Sequence, residues 1–193
     1  AMLARVAPHA EIRCVTLSDN RHNPKLMGLV EEHYRSMAVL GVPKENVVLR
    51  EFETRNFPRD RQQILEVLYE LNHHLRPDIV FTHSRADMHQ DHNVVTDETL
   101  RAFRGTTVLG YDVVRSSHGF FPNFLVEVDA GDVDRKIAAL AEYGTYADKY
   151  YFQADLTRAT LIRNGALAER PFAEGFDILR IVARHGRLVS ESE

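Results

Sequence analysis

A short apolar and β-branched run, Asp78-Ile79-Val80-Phe81-Thr82-His83, stands between two stretches whose apolar residues recur at helical spacing. Upstream, Ile64, Leu68, Leu71 and Leu75 make one stripe of a helix expected over 59–75, with Pro58 near its first turn and Pro77 just past its end. Downstream, 94–103 reads as another helix. A buried strand held between helices is the core of a β-α-β unit, which commits a chain to a largely parallel sheet with helices on its faces. The same alternation precedes it. A helix tail at 3–8 ends at Pro8. A strand follows at 11–18, then a helix at 25–40 with Gly41 as its C′ residue, then a strand at 46–49. Beyond 103 the spacing predicts strands at 107–111, 124–128 and 174–182, and helices at 132–143 and 155–164, the latter capped by Gly165. These later strands are joined through loops, which suits a mixed edge. The class is therefore α/β, a Rossmann-like three-layer α/β/α arrangement with a mostly parallel sheet and a mixed C-terminal edge. Without linker, repeat or low-complexity tract, 1–193 reads as a single domain.

The stretch Asp87-Met88-His89-Gln90-Asp91-His92 follows the central strand directly. Open α/β sheets place ligands at the carboxyl ends of their strands. Imidazoles and carboxylates are also donors that zinc accepts. Two readings stay open on spacing alone. Asp91 can N-cap the following helix, which is wholly structural. Alternatively His92, in the first turn, and His89, on the loop, share a cleft, one as metal ligand and the other as acid or electrostatic stabiliser, with a carboxylate fixing a tautomer. The other histidines have blander surroundings. His73 and His74 fall at a helix C-terminus, where cations meet the dipole favourably, and His9, His22, His33 and His185 have no chemical company nearby in sequence.

Composition removes several classes. A net charge of −4 supplies no field for nucleic acid or an anionic membrane. The single cysteine, Cys14, rules out a disulfide framework or a cysteine-rich zinc site within one chain. No apolar run approaches the ~18 residues of a membrane span. The first residues lack a signal-peptide apolar region, so a cytoplasmic location is expected. There is no Gly-x-Ser-x-Gly elbow and no phosphate-binding glycine loop.

Several segments in order resemble the PIG-L/LmbE family of zinc-dependent N-deacetylases acting on N-acetylglucosaminyl compounds. Val15-Thr16-Leu17-Ser18-Asp19 resembles the family's second strand and the loop after it. Glu32, Ala38 and Leu40-Gly41-Val42 resemble its Glu…Ala…Leu-Gly helix. Pro77 to Thr82 with His89-Gln90-Asp91-His92 resembles its His-x-Asp-His motif. Lys136 to Leu140 resembles the late helix, and Ala173-Glu174-Gly175-Phe176 the Ala-Glu-x-Phe signature. The resemblance implies His92 as a zinc ligand, His89 as the group that stabilises the oxyanion and serves the leaving amine, and Asp91 as its orienter. Zinc would lower the pKa of a bound water and polarise the amide carbonyl. Arg115, Ser117, His118 and Asn123 lie in the loop where sugar contacts are expected.

The sequence departs from the family pattern at the strand ending in His-Pro-Asp-Asp, which carries two further ligands and the general base and has no counterpart here. Pro8-His9-Ala10-Glu11 lacks the carboxylate pair. The family's first strand is thus expected to be missing and the chain N-terminally truncated, leaving the zinc site incomplete and zinc binding weak. Three accounts are open: a longer enzyme, a strand from another chain, or direct pairing of the strands at Val15 and Ile79. The expected function is removal of an acetyl or other acyl group from the amide nitrogen of an amino-sugar conjugate. The alternative is a non-catalytic sugar-binding or assembly relative. The expected partner is a small glycoconjugate, without nucleic acid or an integral membrane segment, and homo-oligomerisation is left open.

Overall fold

Each expected strand and helix forms, and the differences lie at their ends. The structure is a computed structural model, which describes residues 1–21 and 23–183. The described residues group into two units: Ala1–Arg59 with Phe124–Gly175, and Asp60–Asn123 with the chain from Phe176 onward.

In the first unit, helix α1 (Met2–Val6) stops short of Pro8. Strand β1 (Cys14–Thr16) pairs in parallel with β2 (Val47–Leu49), Cys14 opposite Val47 and Thr16 opposite Leu49. The strand expected over 11–18 is only three residues long, because β2 offers only three partners. A 3-10 turn, Pro24–Leu26, precedes α2 (Leu29–Val39), so the helix starts later than its periodicity suggested. Gly41 follows with φ +83°, the left-handed geometry that ends a helix at low cost on glycine. Strand β5 (Phe124–Glu127) leads into α5 (Ala130–Ala141), whose start is fixed by a reciprocal capping box between Asp129 and Asp132. Helix α6 (Ala154–Leu167) runs past Gly165, which lies inside the helix and not at its cap. A Cβ there would sit 2.6 Å from the Arg170 carbonyl oxygen and 2.8 Å from that of Pro171, so the glycine permits a close backbone crossing. The core of this unit gathers Val128, Val133 and Leu161, with Ile137 and Phe172 against them. Lys136 and the Met2 backbone N–H both bond the Glu174 carboxylate, which places the late helix and α1 around one acidic side chain.

In the second unit, α3 (Arg61–Leu75) buries Ile64, Leu65 and Leu68. Burying a side chain such as Ile64 is worth about 1.5–3 kcal/mol, and truncating it to alanine would cost about 2–5 kcal/mol. The helix ends on Arg76 at φ 45°, whose N–H returns to the Asn72 carbonyl at 3.0 Å, and Pro77 forbids continuation. Strand β3 (Ile79–His83) pairs in parallel with β4 (Thr107–Tyr111), His83 opposite Tyr111. Strand β6 (Ala173–Arg180) runs antiparallel to β4 through its second half, with a bulge between Val108 and Leu109. This is the mixed edge expected from the loop-joined late strands. Helix α4 (Gln90–Ala102) packs on β3, where Thr96 Oγ1 donates to the His83 carbonyl at 2.9 Å. A Cβ on Gly110 would lie 2.9 Å from Ser84 Cα, so glycine lets β4 pass the turn that leaves β3.

β1 and β3 belong to different sheets, so the direct pairing of the Val15 and Ile79 strands is not formed. Each already hydrogen-bonds one neighbour, β2 or β4, in its own sheet.

Candidate active site

Strand β3 ends on His83, and the chain turns through Ser84 to Asp87 before α4 begins. Ser84 N–H donates to the Tyr111 carbonyl at 2.9 Å, and the Ser84 hydroxyl bonds Asp177. The loop after β4 is zipped onto this turn. Met88 N–H donates to the Ser116 carbonyl and His118 N–H to the Ala86 carbonyl, both at 2.8 Å. The six-residue motif therefore sits on a backbone fixed from both sides.

Asp87 organises the cluster. Its Oδ1 accepts the His89 N–H at 2.8 Å. Its Oδ2 accepts His92 Nδ1 at 2.8 Å and the Ser116 hydroxyl at 2.9 Å. Burial pushes the carboxyl up, but the His89 backbone N–H, His92 and Ser116 together outweigh it and hold Asp87 below its ordinary value. As a carboxylate it can only accept, so His92 Nδ1 carries a proton, and Nε2, turned away from Asp87, bears the lone pair whenever the ring is neutral.

His89 is the N-cap of α4, a place that Asp91 could also have taken on spacing alone. Its Nδ1 accepts the Asp91 backbone N–H at 3.2 Å. A backbone N–H can only donate, so this Nδ1 is unprotonated and the proton of the neutral ring lies on Nε2. The Asp91 carboxylate is buried in the first turn with Oδ2 4.0 Å from the same Nδ1, beyond hydrogen-bond distance. Orientation of His89 thus comes from the Asp91 main chain. The carboxylate that grips an imidazole is Asp87.

The rings stack in a column. His83 and His92 lie 3.9 Å apart at 9°, and His92 and His89 4.5 Å apart at 24°. Burial, and then the neighbouring His92, push His83 down to about 3. Burial and His92 also lower His89, against the pull of Asp91 and Asp87 and with help from Arg115. His83 Nε2 meets the Tyr111 hydroxyl at 3.1 Å, while its buried Nδ1 has no partner. The middle and outer rings therefore present opposite faces to a ligand: a lone pair on His92 and an N–H on His89.

The four expected sugar-contact residues divide. Ser117 forms an isolated bridge with Asp87, and its buried hydroxyl has no partner. Arg115 is exposed and near enough to lower His89, and His118 is exposed. Asn123 is already employed by the fold: its Oδ1 accepts the Ile178 N–H at 2.7 Å and its N–H donates to the Phe176 carbonyl at 3.0 Å. Asp87, Ser116, Tyr111 and His83 were not singled out as site residues from the sequence. Asp87 was visible in the motif, but its bond to a ring five residues on depends on the loop turning back. His33 does have company, bonding Thr16 and Tyr143. His22 and His185 lie outside the described residues.

The donor set tests the implied zinc. His92, held at Nδ1 by a carboxylate with Nε2 open, has the form of a metal-binding imidazole. His89 presents N–H and is no ligand in that tautomer. Among the described residues no group of three or more His, Cys, Asp or Glu could hold a metal ion. Catalytic zinc takes three protein ligands, so the described set does not complete such a site.

The family model described as PIG-L, GlcNAc-PI de-N-acetylase, matches residues 2–103, more than half of the 193-residue chain. The chain belongs to the PIG-L family. Among proteins of curated function, none matches significantly. Solved structures share the PIG-L fold at low identity. A conserved protein, TT1542, from Thermus thermophilus is 20% identical with a TM-score of 0.76, covering 98% of this chain and 91% of that one. The N,N'-diacetylchitobiose deacetylase from Pyrococcus horikoshii is 16% identical with a TM-score of 0.73, covering 95% and 80%. GalB, the 4-carboxy-2-hydroxymuconate hydratase from Pseudomonas putida, is 16% identical with a TM-score of 0.71, covering 95% and 91%. These likenesses establish the α/β fold of this PIG-L chain. Among its described residues, no helix is long and apolar enough to cross a membrane.

Proposed function

We propose that the chain is a hydrolase that removes an acetyl or other acyl group from the amide nitrogen of an amino-sugar conjugate. PIG-L membership supports the reaction class, and the observation that carries the reading is the pair of opposite tautomers on His89 and His92. Amide hydrolysis needs a donor for the developing oxyanion and a proton for the departing amine. The Nε2–H of His89 suits the first; for the second the ring must pass through the imidazolium, taking up the proton that the attacking water gives up before delivering it to the amine. Its partner His92, locked by Asp87, offers a lone pair beside it. Arg115 and the unpartnered Ser117 hydroxyl suit polar contacts to the sugar, with His118 at the rim. Zinc, with His92 as one ligand, would supply a water acidic enough to attack at neutral pH and a polarised carbonyl. With one ligand among the described residues, this chain should hold zinc weakly.

The test is amine release from N-acetylglucosaminyl substrates, with and without added zinc, alongside zinc retained after dialysis. Zinc-dependent amine release supports the reading. Stoichiometric zinc with no amine from a broad amide panel overturns it. A second reading, a sugar-binding relative without turnover, is favoured by the absence of a three-ligand group among the described residues. It requires saturable binding of an N-acetylglucosaminyl conjugate with neither amine release nor zinc retention.

A further inference from the structure

Arg61, Arg85, Arg101, Arg104 and Arg180 line one open cavity of about 650 Å³, together with Asp97 and Leu100. None of these residues belongs to the imidazole column. They converge from the first turn of α3, the turn after β3, the second half of α4, the turn that follows it (Arg104) and the end of β6.

Two guanidiniums are anchored from behind. Glu98, fully buried on α4, bonds Arg61 and accepts Arg101 Nη1 at 2.7 Å. A third is fixed without being neutralised: Arg180 donates from its two terminal nitrogens to the carbonyls of Phe103 and Leu100, both at 3.0 Å. Arg85 meets Asp97 at 3.3 Å, and Arg61 reaches the same carboxylate at 3.7 Å. Arg104 has no hydrogen bond or ion pair to any described residue. Asp97 and Glu98 offset two of the five positive charges, which leaves an excess of three on a chain whose net charge is −4. Solvated arginines on a helix would account for one or two of these side chains. They would not account for a carboxylate buried at full desolvation cost to aim two guanidiniums at the space a third and fourth already face.

We propose that this cavity binds a small soluble ligand carrying one or two phosphate groups. Guanidinium forks match phosphate oxygens in pairs. The volume falls in the range of small-molecule sites. Anchoring by Glu98 and by the α4 carbonyls settles most of the ordering before the ligand arrives.

The probe is inorganic pyrophosphate, titrated calorimetrically into the full chain with chloride adjusted to constant ionic strength. One site per chain is expected. Arg104→Gln, which touches no described partner, should weaken binding about tenfold, the loss of one good charge-assisted contact. Asp97→Asn should tighten it about threefold by removing an opposing charge. Opposite signs from two exposed positions are not the signature of a damaged fold, and unchanged melting temperatures would confirm that. Absence of saturable binding at matched ionic strength overturns the proposal, as do equal affinities of Arg104→Gln and the parent. So does arginine-dependent pelleting with phosphatidylglycerol vesicles that pyrophosphate fails to compete away, which would make the patch a membrane contact. Neither variant alters the imidazole column and neither readout uses amine release, so this result and that of the hydrolase reading are independent.

Discussion

The two units each hold a half-buried imidazole site, and the two are wired differently. In the first unit, His33 on α2 meets Thr16 Oγ1 at 3.0 Å through Nε2 and the Tyr143 hydroxyl at 2.7 Å through Nδ1. Both nitrogens are spent. Cys14 Sγ lies 3.9 Å from the same Nε2, with its thiol pushed up by burial, and Tyr143 is pushed up by burial to about 12. These are neutral, quiet groups joining β1, α2 and the chain after α5. In the second unit His92 spends one nitrogen on Asp87 and His89 spends one on a backbone N–H. The remaining nitrogens are polar, fixed in direction and opposite in character. An imidazole satisfied at both ends is a structural strut, and one oriented at a single end is available for chemistry.

The largest expected effect tests the available side of that contrast. His92→Ala should lower amine release by about 10²–10⁴-fold, the usual worth of a positioned acid–base or metal-orienting side chain. The melting temperature should move little, since Asp87 keeps its bonds to the His89 N–H and Ser116. Full activity in this variant would show that the column does no chemistry. Next comes Asp87→Asn. The amide keeps the shape but can donate to His92 Nδ1, which would move the ring proton to Nε2 and remove the lone pair. A loss of about 10–100-fold is expected. Ring nitrogen shifts in NMR should report the tautomer change at His92, and unchanged shifts with lowered activity would assign Asp87 a packing role only.

What could be read from the sequence follows the range of the interactions. β4 has the bounds expected from its residues, and α3 ends where Arg76 and Pro77 require. Both rest on local signals. β1 shrank to Cys14–Thr16 because a strand is as long as its partner allows, and the partner lies about thirty residues away. α4 starts at Gln90, ahead of the apolar stripe that marked it, because the His89 ring caps the helix, a role for which spacing had offered Asp91 as one reading. Gly165 looked like a helix end, but its lack of a Cβ serves the crossing of Arg170 and Pro171. The motif histidines were legible because they are packed into one short stretch at a strand end. The carboxylate that polarises them, the Ser116 hydroxyl behind it and the Tyr111 contact to His83 come from loop closure and strand pairing, which residue spacing does not encode.

The strut side of the comparison calls for a smaller effect of a different kind. His33→Phe should leave amine release within about twofold, since both ring nitrogens of His33 are spent on Thr16 and Tyr143 of its own unit. It should cost about 1–3 kcal/mol of stability, because the Thr16 and Tyr143 hydroxyls lose a partner in a partly buried place. Urea unfolding of the variant against the parent measures the second quantity. A catalytic loss as large as that of His92→Ala would erase the distinction between the two imidazoles.

The smallest expected effect is the pH dependence of that strut. Burial lowers the pKa of His33 below its unfolded value of about 6.5. Between the folded and unfolded values the unfolded chain binds more protons, so the contribution of His33 is fully present above about pH 6.5 and is lost as pH falls toward the folded pKa. The stability difference between the parent and His33→Phe should therefore be larger at pH 7.5 than at pH 5.5. Groups common to both proteins, His83 and the carboxylates among them, cancel in that difference. If the gap is the same at both pH values, or widens in acid, then His33 is charged in the folded protein, and a ring held between two hydroxyls is not the neutral strut its geometry describes.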